Sequence, residues 1–253
     1  MAGIITHLSL ISESLVEQKK KFEHLDKAYL YSGAVFPDVN LFLCYHHTPD
    51  DNLSRFWHTG KNGFMFGKKM LEYSKNKKER SFAIGFMSHF ILDNQIHGYL
   101  TKKKIKKSVY HTVCEFFLDA QFKNKNIPVP KYCKALINRV LKHEYPEISK
   151  NYFTSVLQRR YYFSIVNNII QKHLVTKKYR NTDNSKKVYF LDVLMYHFGK
   201  KHAIKMKSDI NEIIYPKAEI KKKYLYDLTN EYNIAKKKFF ALNFDNAVNI
   251  KKR

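Results

Sequence analysis

The sequence predicts an all-α fold, and three observations lead there. Glycine and proline are scarce, eight and six in 253 residues, so the closely spaced tight turns of a sandwich or barrel are poorly supplied. Apolar residues recur at three- and four-residue spacing over long stretches. The polar side chains inside the most apolar stretches keep that same spacing, which gathers them on one side of a helix. The expected architecture is a single helical domain over residues 1–253, with a cluster of His, Asp and Glu side chains buried between helices.

The elements follow in chain order. From His7 to about Leu25, the apolar positions Leu8, Ile11, Leu15 and Phe22 predict an amphipathic first helix. The segment Tyr31–Asp38, YSGAVFPD, reads as a connection, because Gly33 and Pro37 interrupt the periodicity and let Asp38 project from a bend toward a pocket. Residues 41–63 are aromatic and mixed, contain His46, His47, Trp57 and His58, and turn at Pro49. A helix is predicted over Gly63–Ser74, followed by a charged connector, Lys75–Arg80. The strongest apolar segment is Ser81–Leu100, closed by Gly98 and the TKKKIKK stretch, whose lysines suit the negative pole of a helix. Ser108 is positioned to cap the next helix, SVYHTVCEFFLDAQF, which stops before NKNIPVP. Beyond Pro130, helical stretches are expected around 132–143, 149–173, 188–207 and 219–240, with no internal repeat. This half carries no comparable polar constellation, so residues 121–253 are assigned to helical packing and a pocket wall.

Lysine and arginine outnumber aspartate and glutamate 46 to 22, a formal charge of +24 spread along the chain. Such a surface attracts polyanions, and both nucleic acid and an anionic membrane surface reward accumulated positive charge. No run of 18 apolar residues is present, and the N-terminus lacks the basic head, apolar stretch and cleavage site of a secretory signal. The expectation is therefore a soluble cytoplasmic or intracellular protein without a transmembrane segment. Cys44, Cys114 and Cys133 are odd in number and form no CxxC pair, which argues against a disulfide framework and against a zinc finger. No GxxxxGK[ST] loop and no serine nucleophile elbow is found.

The chemistry resides in two triads. His89, Asp93 and His97 are four apart, one helical turn above the next, and Phe82, Ala83, Ile84, Phe86, Met87, Phe90, Ile91 and Leu92 cover most of the remaining circumference. A polar stripe set in such a sequence is buried or lines a cleft, and a buried carboxylate requires a cation to offset its desolvation. His111, Glu115 and Asp119 repeat the spacing on the following helix, joined by a short connector that suits antiparallel neighbours. Imidazole nitrogens and carboxylate oxygens on facing helices are the ligands expected for zinc or a related divalent metal. A buried hydrogen-bonded His–carboxylate network without metal is the alternative for either triad alone.

The motifs THLSL with His7, YSGAVFPD with Asp38, the aromatic segment with WHTG, AIGFMSHFILDNQIHGYL and HTVCEFFLD resemble, in order and character, the zinc-dependent phospholipase C family, whose wider relatives include the S1/P1-type nucleases. The resemblance covers about the first 120 residues. It implies a helical fold and a site for two zinc ions, with a third position beside them. Asp38, His89 and Asp93, with a histidine from the 46–58 region, would hold one metal; His58 is preferred, with His46 and His47 open. His97, His111 and Glu115 would hold another, and His7 with the second oxygen of Asp93 would belong to the third position. The implied activity is phosphodiester hydrolysis of a phospholipid or related substrate by a metal-activated hydroxide, with Asp38 orienting it or accepting its proton. An S1/P1-type nuclease or small phosphodiesterase, and a non-catalytic metal-binding protein, are the competing expectations.

Overall fold

The computed structural model describes residues 4–44, 56–103, 118, 133–148 and 218–244. Every regular element among them is an α-helix: α1 Ile4–Glu17, α2 Lys19–Phe22, α3 Lys27–Cys44, α4 Asn62–Tyr73, α5 Lys77–Lys102, α6 Lys134–Glu144 and α7 Ala218–Ala241. The expected all-α class is thus the observed one. The predicted stretches 149–173 and 188–207 lie outside the described residues, as does all of the 108–122 helix except the buried Leu118.

The long helix α5 is the axis against which α1, α3, α4 and α7 pack, while α6 lies on α4. It starts at Lys77, inside the charged connector predicted over Lys75–Arg80 and four residues before the predicted segment beginning at Ser81. The physical reason is a cap: the Asn76 side chain accepts the Glu79 backbone N–H at 3.0 Å, and Glu79 Oε2 accepts the Lys75 N–H at 2.7 Å. Arg139 of α6 then grips the same carboxylate with both nitrogens, at 3.0 and 3.2 Å.

The second correction concerns Tyr31–Asp38. This segment is no junction; it lies inside α3, with Pro37 within the helix. Proline removes one intrahelical hydrogen bond, but α3 is clamped where it crosses α5. A Cβ on Gly33 would sit 2.0 Å from the Phe82 carbonyl oxygen, and a Cβ on Gly85 would sit 2.0 Å from that of Leu30. The two glycines therefore serve close approach of backbones. Phe36, Trp57, Phe66, Phe82 and Phe86 fill the core beside this crossing.

Helix α7 ties the far end of the chain to the beginning. Lys236 reaches Glu13 and Glu17 on α1, each at 2.8 Å. Tyr99 donates to Asp227 at 2.7 Å, and Gln95 donates to Glu231. Phe22 stacks on Phe239 and Phe244 tilts against both, and Lys21 donates to the carbonyl oxygens of Phe240, at 2.6 Å, and of Leu242.

Candidate metal centre

Three helices and the turn before a fourth bring polar side chains into the core. His7 comes from α1, Asp38 from α3, His89, Asp93 and His97 from α5, and His58 from the turn before α4. His7 and His89 are fully buried, Asp38 and Asp93 nearly so. The two half-open members are His58, 16% exposed, and His97, 28%.

Asp38 is central. One carboxylate oxygen lies 3.6 Å from His89 Nε2 and 3.8 Å from His58 Nε2, and the other lies 3.9 Å from His7 Nε2. These separations are too long for hydrogen bonds. They are close to the edge of a tetrahedron around zinc, about 3.4 Å for ligand bonds near 2.1 Å. By contrast, His97 Nε2 stands 3.0 Å from Asp93 Oδ1, an ordinary hydrogen-bonding distance. Two overlapping groups result, His7/His89/Asp93 and Asp38/His58/His89, each with its donor atoms within 4.8 Å of one another.

The histidines have the charge state a cation needs. Burial drives the His7 pKa down from 6.5 to about 3, with the Asp93 charge only partly opposing it. Burial, then the neighbouring His7, holds His89 well below its ordinary value. Both imidazoles are neutral at pH 7, consistent with rings stacked 4.0 Å apart at 13°. Burial alone would raise the Asp93 pKa; the neighbouring His97, first through its charge and also through its hydrogen bond, works against that, and the carboxyl is held well below its ordinary value. His89 donates Nδ1–H to the Ala34 carbonyl at 2.9 Å, since a carbonyl can only accept, and this leaves the Nε2 lone pair facing the cluster.

Neither nitrogen of His7, nor Nε2 of His89, has a hydrogen-bond partner, although all three are buried. Leaving such atoms unsatisfied costs roughly 1–3 kcal/mol each, and a shared ion would remove that cost. The donor set, its spacing and its protonation fit zinc.

A family profile, described as zinc dependent phospholipase C, matches residues 5–234. The chain belongs to that family. Comparison with curated proteins and with solved structures finds no match. Family and ligand groups together identify a zinc-dependent, phospholipase C-like hydrolase with a phosphodiester substrate. No helix among the described residues is long and apolar enough to cross a membrane.

Of the residues expected from sequence, the structure brings together His7, Asp38, His58, His89, Asp93 and His97. His111 and Glu115 lie outside the described residues, as do His46, His47 and Asp119. The Ala34 carbonyl was not anticipated, and nothing in a sequence marks one backbone carbonyl over another. Gly33 and Gly85, which bring that carbonyl within reach, had a signal: glycine inside apolar helical sequence.

Proposed function

We propose that this cluster is the hydrolytic centre, with Asp38, His58 and His89 holding one zinc and Asp93 reaching from it toward a second position that His7 lines. The observation that carries the reading is the set of partnerless buried nitrogens on His7 and His89 around the Asp38 and Asp93 carboxylates. His97, paired with Asp93, would combine with His111 and Glu115 as the ligands of a further zinc. Zinc held here supplies a Lewis acid for the phosphoryl oxygens and lowers the pKa of a water nucleophile.

The chain's own groups do the remaining work. Asp38, with both oxygens turned among three imidazoles, orients the attacking water and accepts its proton. Asp93 holds His97 in register through the 3.0 Å contact. The Ala34 carbonyl fixes the His89 ring and its tautomer. Phe90, against both His58 and His89, excludes water from one wall.

In the same reading, residues 1–253 form one domain, supported by the packing of α6 and α7 onto α4 and α5. An intracellular setting accords with the free, buried Cys133 thiol. A phospholipid is the favoured substrate and the +24 charge assists approach to an anionic membrane. Elemental analysis of protein purified without added metal, beside parallel assays on phospholipid, polynucleotide and a generic phosphodiester, tests this. Zinc with phospholipid turnover supports it; preferential polynucleotide cleavage would favour the nuclease alternative; zinc-free protein indifferent to chelator would refute it.

A further inference from the structure

Helix α4 has two faces of different character. Gly63, Phe66, Gly67, Met70 and Leu71 are buried against the core. Lys61, Phe64, Met65 and Lys68 follow one another at i, i+3, i+4 and i+7, and so share the opposite side. Lys61, Met65 and Lys68 are exposed, Phe64 is half-buried, and the Lys68 ammonium lies over the Phe64 ring at 5.3 Å. Met65 is 45% exposed, one of three large apolar side chains that face solvent among the described residues.

The position of this stripe gives it meaning. It begins three residues after His58, and on the opposite, buried face of the same helix Gly63 packs so closely on Phe90 that a Cβ would lie 2.3 Å from the ring. Phe90 in turn touches the rings of His58 and His89. Between His58 and the stripe, Thr59 and Gly60 are both exposed, and a Cβ on Gly60 would meet nothing within 4 Å. The other half-open member of the cluster, His97, is followed at the end of α5 by the exposed Lys102 and the C-cap residue Lys103. Cations thus succeed both of the cluster's half-open members along the chain.

We propose that the Lys61–Phe64–Met65–Lys68 face of α4 is the surface by which the protein seats on an anionic lipid bilayer, with the end of α4 nearest His58 at the headgroups. The proposal rests on the phospholipase reading and specifies how that site meets its substrate. Charge by itself suits any polyanion. An exposed methionine and a phenylalanine flanked by two lysines suit an interface with anionic headgroups above and acyl chain below: the lysine stems run along apolar surface while their ammonium groups stay at phosphate level. A polynucleotide would reward the lysines and gain little from Met65. The apolar area is small, so attraction comes mainly from charge and Met65 with Phe64 sets depth and orientation.

The test uses the zinc-loaded full chain and vesicles of neutral galactolipid containing phosphatidic acid, which offer an anionic surface without a headgroup diester to cleave. Binding is read by co-sedimentation, and hydrolysis of a soluble monomeric phosphodiester is read separately, so that failure of docking and failure of the catalytic reading are distinguishable. Lys61→Glu with Lys68→Glu should weaken vesicle binding roughly 30-fold or more, and Met65→Gln about 5-fold, with soluble-ester turnover and melting temperature unchanged. Val16→Gln alters an apolar side chain 79% exposed on α1 and should leave binding at the parent level. A parent protein that ignores these vesicles, stripe variants that bind like the parent, or an equal loss in Val16→Gln would each overturn the proposal. So would a loss confined to polynucleotide binding. Absent turnover of the soluble ester with stripe-dependent vesicle binding would overturn the catalytic reading and leave the docking surface standing.

Discussion

Replacing Gly85 with alanine adds one methyl group, and the crossing of α3 and α5 leaves no room for it. The new Cβ would lie 2.0 Å from the Leu30 carbonyl oxygen and 3.0 Å from the Ala34 nitrogen, both backbone atoms that no rotamer change can move aside. The helices must separate by about 1 Å or more to restore van der Waals contact, and the aromatic packing of Phe36 on Phe82 and Phe86 loosens with them. Overpacking of this kind costs about 3 kcal/mol, or a fall in melting temperature of roughly 6–12 °C for a chain of this size. The Ala34 carbonyl that fixes His89 belongs to the same contact, so zinc affinity should fall as well. Gly98→Ala is the control: it lies on the same helix with nothing within 4 Å of its Cβ, and replacing an unneeded helical glycine should stabilise by about 0.5–1 kcal/mol. Urea unfolding and thermal melting of the zinc-loaded proteins give both numbers. Two variants that shift in the same direction, or a Gly85→Ala protein as stable as the parent, would refute the close-approach argument.

Asp93→Asn keeps volume but removes a charge and a strong oxygen ligand; bound zinc should fall and phosphodiester turnover drop about 100-fold, and an active variant with parental zinc content would defeat the assignment. Chelation should lower the melting temperature, and zinc at about 100 times its dissociation constant should return roughly 2.7 kcal/mol; a melting curve blind to both treatments argues for a metal-free network. Glu79 pays a desolvation penalty but is held below its ordinary pKa by the Arg139 hydrogen bonds and the Lys75 N–H. Its contribution is complete above the unfolded value of 4.5 and is lost as pH falls through the lower folded value. Glu79→Gln should therefore cost roughly 2 kcal/mol at neutral pH and flatten the acid limb of the stability curve; an unchanged acid limb by urea titration would remove Glu79 from that role.

The sequence showed most where the chemistry is local to one helix. His89, Asp93 and His97 keep a four-residue spacing in apolar surroundings, and burial of the first two follows directly. Asp38 was found for the wrong conformational reason. Pro37 read as a breaker because local propensity disfavours proline in a helix, whereas the clamp between Gly33 and Gly85, 52 positions apart, is a tertiary effect that overrides propensity. The start of α5 was hidden by its lysines, although Asn76 and Glu79, three apart, already carried a capping signal. The Arg139 grip on that cap lies 60 residues away, and no periodicity reports such a contact.

The same residues that fill the core also set the electrostatics of the site. Phe36, Trp57, Phe86 and Phe90 form a continuous run of rings that ends on His58 and His89. That apolar wall helps keep water from His89, on which His7 stacks, and burial is the largest cause of the lowered pKa of both. Neutral imidazoles can offer lone pairs to a cation at physiological pH, where solvent-exposed histidines would compete with protons. The carboxylates face the opposite problem. Burial works to raise the Asp93 pKa, and the adjacent His97, through its charge and its 3.0 Å hydrogen bond, leads the influences that hold it well below its ordinary value instead. Replacing the aromatic wall with polar residues would therefore alter metal affinity without touching a ligand, because packing and ligand protonation share the same cause.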